Sequence, residues 1–184
     1  MCKHKKALII CNGDPPRKNL LFSLWELSEF RIAADGGANL LYSLDLFPDA
    51  IIGDFDSLKP EVKNHFSNSI LFHIKEQNTN DADKAVRHCL HRGFNEINLI
   101  GADGGRQDQF LSNLEIILKY SSKARLILWS KMERMEFVSD SWEENLPIKT
   151  TISLLPLFGG AESVLTNGLE FDIKNQPLLP KILN

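Results

Sequence analysis

Four short apolar runs in this chain each give way to a loop of acids, amides and glycines, and that repetition restricts the fold more than any single residue. Arg31-Ile32-Ala33-Ala34 leads into Asp35-Gly36-Gly37-Ala38-Asn39, and Ala50-Ile51-Ile52-Gly53 leads into Asp54-Phe55-Asp56-Ser57. Leu71-Phe72-His73-Ile74 runs through a short loop to Gln77-Asn78-Thr79-Asn80-Asp81-Ala82-Asp83-Lys84. Ile97-Asn98-Leu99-Ile100 precedes Gly101-Ala102-Asp103-Gly104-Gly105-Arg106-Gln107-Asp108-Gln109. Between these runs the apolar spacing is helical, and strands alternating with helices imply a parallel sheet covered on both faces. Ligands of such sheets bind outside the carboxyl ends of the strands, so the four loops are expected to converge on one crevice.

The pattern predicts strands at residues 7–11, 30–34, 50–53, 70–74, 96–100 and 124–129, and helices at 19–29, 38–44, 60–66, 81–92 and 107–120. Pro60 suits a first helical turn, and Gly93 suits the position just past a helix end. After about Ser130 the alternation stops. Residues 133–138 and 150–155 read as strands, and 161–166 with 169–173 read as a hairpin about Asn167-Gly168. The expected fold is therefore α/β: a mostly parallel, doubly wound sheet in residues 1–130, followed by a small antiparallel β-domain in 131–184. A unit that small is marginal alone and should lean on another surface.

With 43% apolar and 24% charged residues, the chain of 184 residues has the composition of a globular protein with a real core. A net charge of −3 gives no electrostatic case for nucleic acid. Cys2, Cys11 and Cys89 are odd in number and lack zinc-ligand spacing, which reads as free thiols in a reducing compartment. The basic residues 3–6 precede only a short apolar run, too short for a secretory signal, and no stretch reaches the roughly 18 apolar residues of a membrane span. A cytoplasmic protein is expected. His88 and His91 stand one helical turn apart without a completing ligand and read as surface residues.

Asp54 and Asp56 follow a strand at positions i and i+2, which point the same way in extended backbone. Like charges held that close need a cation between them, and Mg²⁺ typically takes one or two carboxylates plus substrate phosphates. Asp35 reads either as a turn or capping acid or, from its place among the other acids, as a group near metal or substrate. Gly36 and Gly37 let a ligand approach a helix start. Asn80 reads as the cap of the helix that begins at Asp81, and Lys84, on the face of Asp81, either pairs with that acid or meets a phosphate. Gly104 and Gly105 free the backbone beside Arg106, whose planar fork suits phosphate. Asp108 caps, orients Arg106 or holds a nucleotide.

Those stretches, 34–39, 48–57, 80–85 and 104–109 in this order, resemble the thiamine pyrophosphokinases. The resemblance is strongest over about the first 130 residues. It implies pyrophosphoryl transfer from ATP to the hydroxyethyl oxygen of thiamine, with Mg²⁺ as cofactor and AMP released. It further implies an α/β domain joined to a β-sandwich domain, and a homodimer that shares its sites between subunits. Residue by residue it assigns Asp54, Asp56 and Asp81, with Asp35 alongside, to metal and catalysis, and Lys84 joins the catalytic set. Arg106, Asp108, Gln109, Gly36, Gly37 and Gly105 fall at nucleotide positions, and Gln77 and Asn80 at substrate positions. Small molecules are the implied partners, with no nucleic acid and no membrane.

The chain departs from the family at Asn78 and Asn80, where Asp-x-Thr-Asp is usual, and at Gln109, where bacterial members carry His. It also stops at Asn184, before the Ser-Asn-Glu-type segment that closes the family's thiamine pocket, so the β-domain reads as shortened. Two rival readings are a related pterin pyrophosphokinase and a degenerate nucleotide-binding protein.

Overall fold

The structure, a computed structural model, describes residues 4–180 except 68, 75 and 77. It divides into two compact units, Met1–Trp142 and Glu143–Asn184. In the first, the strands are β1 (Lys6–Ile10), β2 (Phe30–Ala34), β3 (Ala50–Gly53), β4 (Ile70–His73), β5 (Glu96–Ile100), β6 (Arg125–Trp129) and β7 (Arg134–Glu136). They form one sheet in the order β4-β3-β2-β1-β5-β6-β7, parallel except for the β6–β7 pair. The helices are α1 (Lys18–Leu27), α2 (Gly37–Ser43), α3 (Pro60–His65), α4 (Asp81–His91) and α5 (Gln107–Tyr120).

Strand periodicity explains the layering. Ala7, Ile9, Ile32, Ala34, Ala50 and Ile52 face one way and pack against Ala85, Val86 and Cys89 of α4 and Ile116 and Ile117 of α5. Their alternates Leu8, Ile10, Ala33 and Ile51 face the other way, against Leu21 and Leu24 of α1, Leu41 of α2 and Val62 of α3. Both sides are buried, which is why the runs read as continuously apolar rather than alternating. Each fully buried Leu, Ile or Phe contributes about 1.5–3 kcal/mol. The strand order reverses between β1 and β5, the switch point of an open sheet. Loops leaving those two strands remain zipped together: Gly13 N–H donates to Gly101 O at 2.7 Å and Asp14 N–H to Asp103 O at 2.8 Å.

Beyond β6 the expected strand at 133–138 shrinks to β7, which pairs antiparallel with β6 at the edge of the main sheet. A tight turn makes the connection, with Ser130 N–H donating to Glu133 O at 2.9 Å and Glu133 N–H to Ser130 Oγ at 3.2 Å.

In the second unit, β8 (Ala161–Leu165) pairs antiparallel with β9 (Lys174–Leu178). The expected two-residue turn at Asn167-Gly168 is replaced by a wider loop. Thr166 Oγ1 accepts from Ile173 N–H at 2.7 Å, and Asp172 accepts from Leu169 N–H at 3.0 Å. The side chains of Thr166 and Asp172 take backbone N–H groups of residues 169–173 that a second strand would have paired, and the pairing lies at 174–178 instead. Residues 150–155 form no strand. Thr150 turns back onto Pro147 O at 2.7 Å, and Pro156 restricts the other end.

Candidate active site

Asp35 leaves β2 with a left-handed backbone, φ 41°, and its N–H donates to Ile52 O at 2.8 Å. That conformation turns the carboxylate into the crevice, where it is 4% exposed. Oδ2 accepts from Ser57 N–H at 3.2 Å, whereas Oδ1 is buried with no hydrogen-bond partner. Burial pushes the carboxyl pKa up, and the charge of Asp81 adds to the rise against hydrogen bonds from Ser57 that lower it. Gly53 makes room for this arrangement, since a Cβ there would stand 2.8 Å from the Asp35 Cβ.

Asp54 follows Gly53, and Asp81 opens α4. Carboxylate oxygens of Asp35, Asp54 and Asp81 all lie within 4.8 Å of one another. Ligands of an octahedral Mg²⁺ site at 2.0–2.1 Å are about 2.9 Å apart when adjacent and about 4.1 Å when opposite. The donor set is all-oxygen and of nearly that spread, and the orphaned Asp35 oxygen lacks only a cation. The residues fit a hard divalent ion.

Asp56 does not join this cluster. The backbone is not extended here: Phe55 has φ 65°, and Asp54 Oδ1 accepts from Asp56 N–H at 3.2 Å. The turn faces Asp56 outward, exposed and accepting from Ser57 Oγ at 2.9 Å. Its i, i+2 relation to Asp54 therefore does not make the pair of carboxylates the spacing suggested.

Lys84 is buried, and its ammonium donates to Asp81 Oδ1 at 2.8 Å and to Ile74 O at 3.4 Å. It fixes the Asp81 side chain from behind. Asn80 caps α4, accepting from Asp83 N–H at 2.8 Å, and its amide donates to Ser112 Oγ and Asn113 Oδ1 of α5. Both ends of that side chain are thus committed to holding two helices together. Gln77 lies outside the described residues. Asp83 sits beneath, 3% exposed, with Lys119 at 2.7 Å and the Tyr120 hydroxyl at 3.0 Å. Arg87 approaches Asp83 Oδ2 at 3.1 Å, an ion pair whose angle falls short of a hydrogen bond.

Gly36 and Gly37 are required by the chain's own packing: a Cβ on Gly37 would meet Ile10 O at 2.0 Å, and one on Gly36 the Asn12 side chain at 2.4 Å. Arg106 forks onto Asp108, with Nε donating to Oδ1 at 3.1 Å. Both are exposed, as are Gly105 and Gln109. That pairing holds the Asp108 carboxyl below, and the Arg106 guanidinium above, the ordinary range. Burial, with Asp81's charge adding, pushes the Cys11 thiol up to about 12, so it is no nucleophile. His88 is half-buried, its ring 4.5 Å from Phe72 and 5.9 Å from Phe30, whereas His91 is exposed as the sequence suggested.

Sequence reasoning passed over Ser57 and Asn39, which tie the loops together. Ser57 donates to Asp35, and Asn39 Nδ2 donates to Ser57 O at 3.0 Å while Asn39 Oδ1 accepts from Lys59 N–H. Their place within acid-bearing loops was the available signal.

The family model described as thiamin pyrophosphokinase, catalytic domain, matches residues 21–128. Thiamine pyrophosphokinase 2 of Arabidopsis thaliana is 28% identical over 203 residues, covering 95% of this chain and 75% of that one. Thiamine pyrophosphokinase 1 of the same plant is 29% identical over 198 residues, with 92% and 73% covered. The solved thiamine pyrophosphokinase of Bacillus subtilis superposes with a TM-score of 0.80 at 22% identity, over 95% of this chain and 85% of that one. At that identity the likeness speaks for the fold.

Proposed function

This chain belongs to the thiamin pyrophosphokinase family, and from that membership we propose that it transfers the pyrophosphoryl group of ATP to the hydroxyethyl oxygen of thiamine, giving thiamine diphosphate and AMP. The observation that carries the reading is the triad of Asp35, Asp54 and Asp81 at the carboxyl ends of adjacent strands and the start of α4. Thiamine and ATP are the small-molecule substrates, and a divalent ion, Mg²⁺ by its ligand preference, is the cofactor.

When bound, the ion neutralises charge on the transferring phosphates. The chain's own residues do the rest. Asp35, Asp54 and Asp81 hold the ion, with Lys84 keeping Asp81 in place. Asp56 remains as an outer carboxylate, toward ions that arrive with the triphosphate. Arg106 exchanges Asp108 for phosphate oxygens; solvent screens that exposed pair, so the exchange is cheap. Gly105, Asp108 and Gln109 border the triphosphate, and Gly36 and Gly37 shape the floor of the crevice. The family resemblance assigns Gln77 to the thiamine, and Asn80 positions Asp81. Phosphoryl transfer depends on such positioning and charge neutralisation rather than on covalent chemistry.

A homodimer and cytoplasmic residence belong to the proposal. Leu165 and Phe171 of the second unit are 73% and 82% exposed, apolar surface of the kind a partner copy covers. Cys11 and Cys89 are free, buried thiols, as a reducing compartment allows.

The test is AMP release from ATP and Mg²⁺ with thiamine, with a hydroxymethyl pterin, or with neither. The reading expects AMP with thiamine alone, matched by equal thiamine diphosphate. AMP formed only with the pterin would move the chain to the rival substrate. Nucleotide binding without AMP from any acceptor would mark a non-catalytic protein.

A further inference from the structure

The turn that separates Asp54 from Asp56 is made by a residue poorly suited to it. Phe55 has φ 65°, a left-handed state that a bulky side chain keeps only where its surroundings hold it. In extended backbone Asp54 and Asp56 would point the same way. With the turn, Asp54 stands beside Asp35 and Asp81, and Asp56 faces solvent. Whatever holds the turn decides which carboxylate reaches the ion.

Phe55 is half-buried and packs on the apolar layer that faces α1, α2 and α3. Its ring stacks on His73, with centroids 5.3 Å apart and planes 22° from parallel. The Lys63 ammonium of α3 lies over the same ring, 5.6 Å from its centroid. His73 ends β4, where its partner in the register is Gly53. Gly53 has no side chain to set against the imidazole, and the Phe55 ring, two residues on, packs there instead. The imidazole is not itself a ligand: among the described residues, the His, Cys, Asp and Glu side chains grouped closely enough to hold an ion are Asp35, Asp54 and Asp81. From this geometry we infer that the stack of Phe55 on His73 holds the turn that aims Asp54 at the ion, so both are positioning residues that act through the backbone of the loop. The inference rests on the proposed ion site and adds what keeps that site assembled. It also links two of the ligands, because the chain that leaves β4 at His73 goes on to Asp81 at the start of α4.

Two measurements test this on Phe55→Ala, Phe55→Tyr, His73→Ala and His73→Phe: Mn²⁺ binding to the nucleotide-free protein by electron paramagnetic resonance, and the Mg²⁺ concentration for half-maximal AMP release. An aromatic pair shifts an equilibrium by about three- to tenfold, and that factor enters the apparent ion affinity through the fraction of chains whose turn is formed. Both alanine variants should bind Mn²⁺ and respond to Mg²⁺ more weakly by that factor, with turnover at saturating Mg²⁺ retained. Phe55→Tyr and His73→Phe keep a ring in each place and should bind Mn²⁺ as the unaltered protein does. His73 is exposed, so its variants report on the turn rather than on folding. Leu126→Ala, in the core at β6 across the switch point, should lower Tm and leave ion affinity unchanged. Either alanine variant binding Mn²⁺ as tightly as the unaltered protein, His73→Phe as weak as His73→Ala, or Leu126→Ala weakened by the same factor would overturn the inference and leave the ion site standing. An unaltered protein that binds no Mn²⁺ would overturn both.

Discussion

Replacing Asp35 with Asn should make the metal-free protein more stable while abolishing its chemistry. Asn keeps an acceptor for Ser57 N–H and tolerates the φ of 41° at least as well as Asp. It also puts an N–H donor where the orphaned Oδ1 now stands, facing Asp54 and Asp81. Two unit charges at the 4.8 Å outer limit of this cluster repel by about 3.5 kcal/mol at an effective dielectric near 20. Asp54 and Asp81 are partly exposed and Lys84 offsets Asp81, so a net gain of about 1 kcal/mol is expected, or about 2–4 °C in Tm.

The pH dependence has a definite sign. Burial holds the Asp35 carboxyl above its ordinary range, so the folded metal-free protein keeps a proton that the unfolded chain has lost. The stability this group contributes is complete below the ordinary carboxyl pKa of about 3.9 and is lost as pH rises through the folded value. Thermal unfolding in chelator across pH 4–7.5 reads both effects: the gap between variant and parent should widen toward neutral pH. Added Mg²⁺ with ATP should stabilise the parent and leave the variant unmoved. A variant less stable than the parent at neutral pH without metal, with its circular dichroism unchanged, would refute the reasoning.

Other outcomes follow from neighbouring contacts. Asp54→Asn should lower turnover by about 10²–10³ without loss of fold, the cost typical of removing one preorganised charge; near-normal turnover counts against its role. Asp83→Asn should cost about 2–3 kcal/mol in urea unfolding, because it removes the buried partner of Lys119 and Tyr120; the range is discounted since Lys119 is 52% exposed. Asn80→Ala should lose about 1 kcal/mol from the cap and lower turnover less than Asp81→Asn does, as seen by assaying both beside their unfolding curves. Arg106→Lys keeps the charge but loses the fork, so KM for ATP should rise.

The parallel sheet was legible in the sequence because its signals are local. Apolar runs of five or so residues and helical spacing are each set within one element, and Phe30–Ala34, Ala50–Gly53, Glu96–Ile100 and Gln107–Tyr120 fall where the pattern put them. Asn80 as a cap followed from side-chain chemistry alone. What escaped depends on partners far along the chain. The positive φ of Phe55, which sends Asp54 inward and Asp56 outward, is a backbone state that local propensity disfavours for a bulky residue. The Asn167-Gly168 hairpin was displaced by Asp172 and Thr166, whose side chains compete for backbone N–H groups. Gly36 and Gly37 read as room for a ligand, yet β1 and its loop already fill that space.

Pyrophosphoryl transfer is proposed to depend on an ion held by Asp35, Asp54 and Asp81, and not by Asp56. Bound Mn²⁺, counted by electron paramagnetic resonance on the nucleotide-free protein and on the four Asp→Asn variants, tests it most directly. One ion per chain in the unaltered protein and in Asp56→Asn, lost or greatly weakened in Asp35→Asn, Asp54→Asn and Asp81→Asn, is the predicted result. Ion binding that survives all three of those changes, or that disappears only with Asp56, would contradict the account.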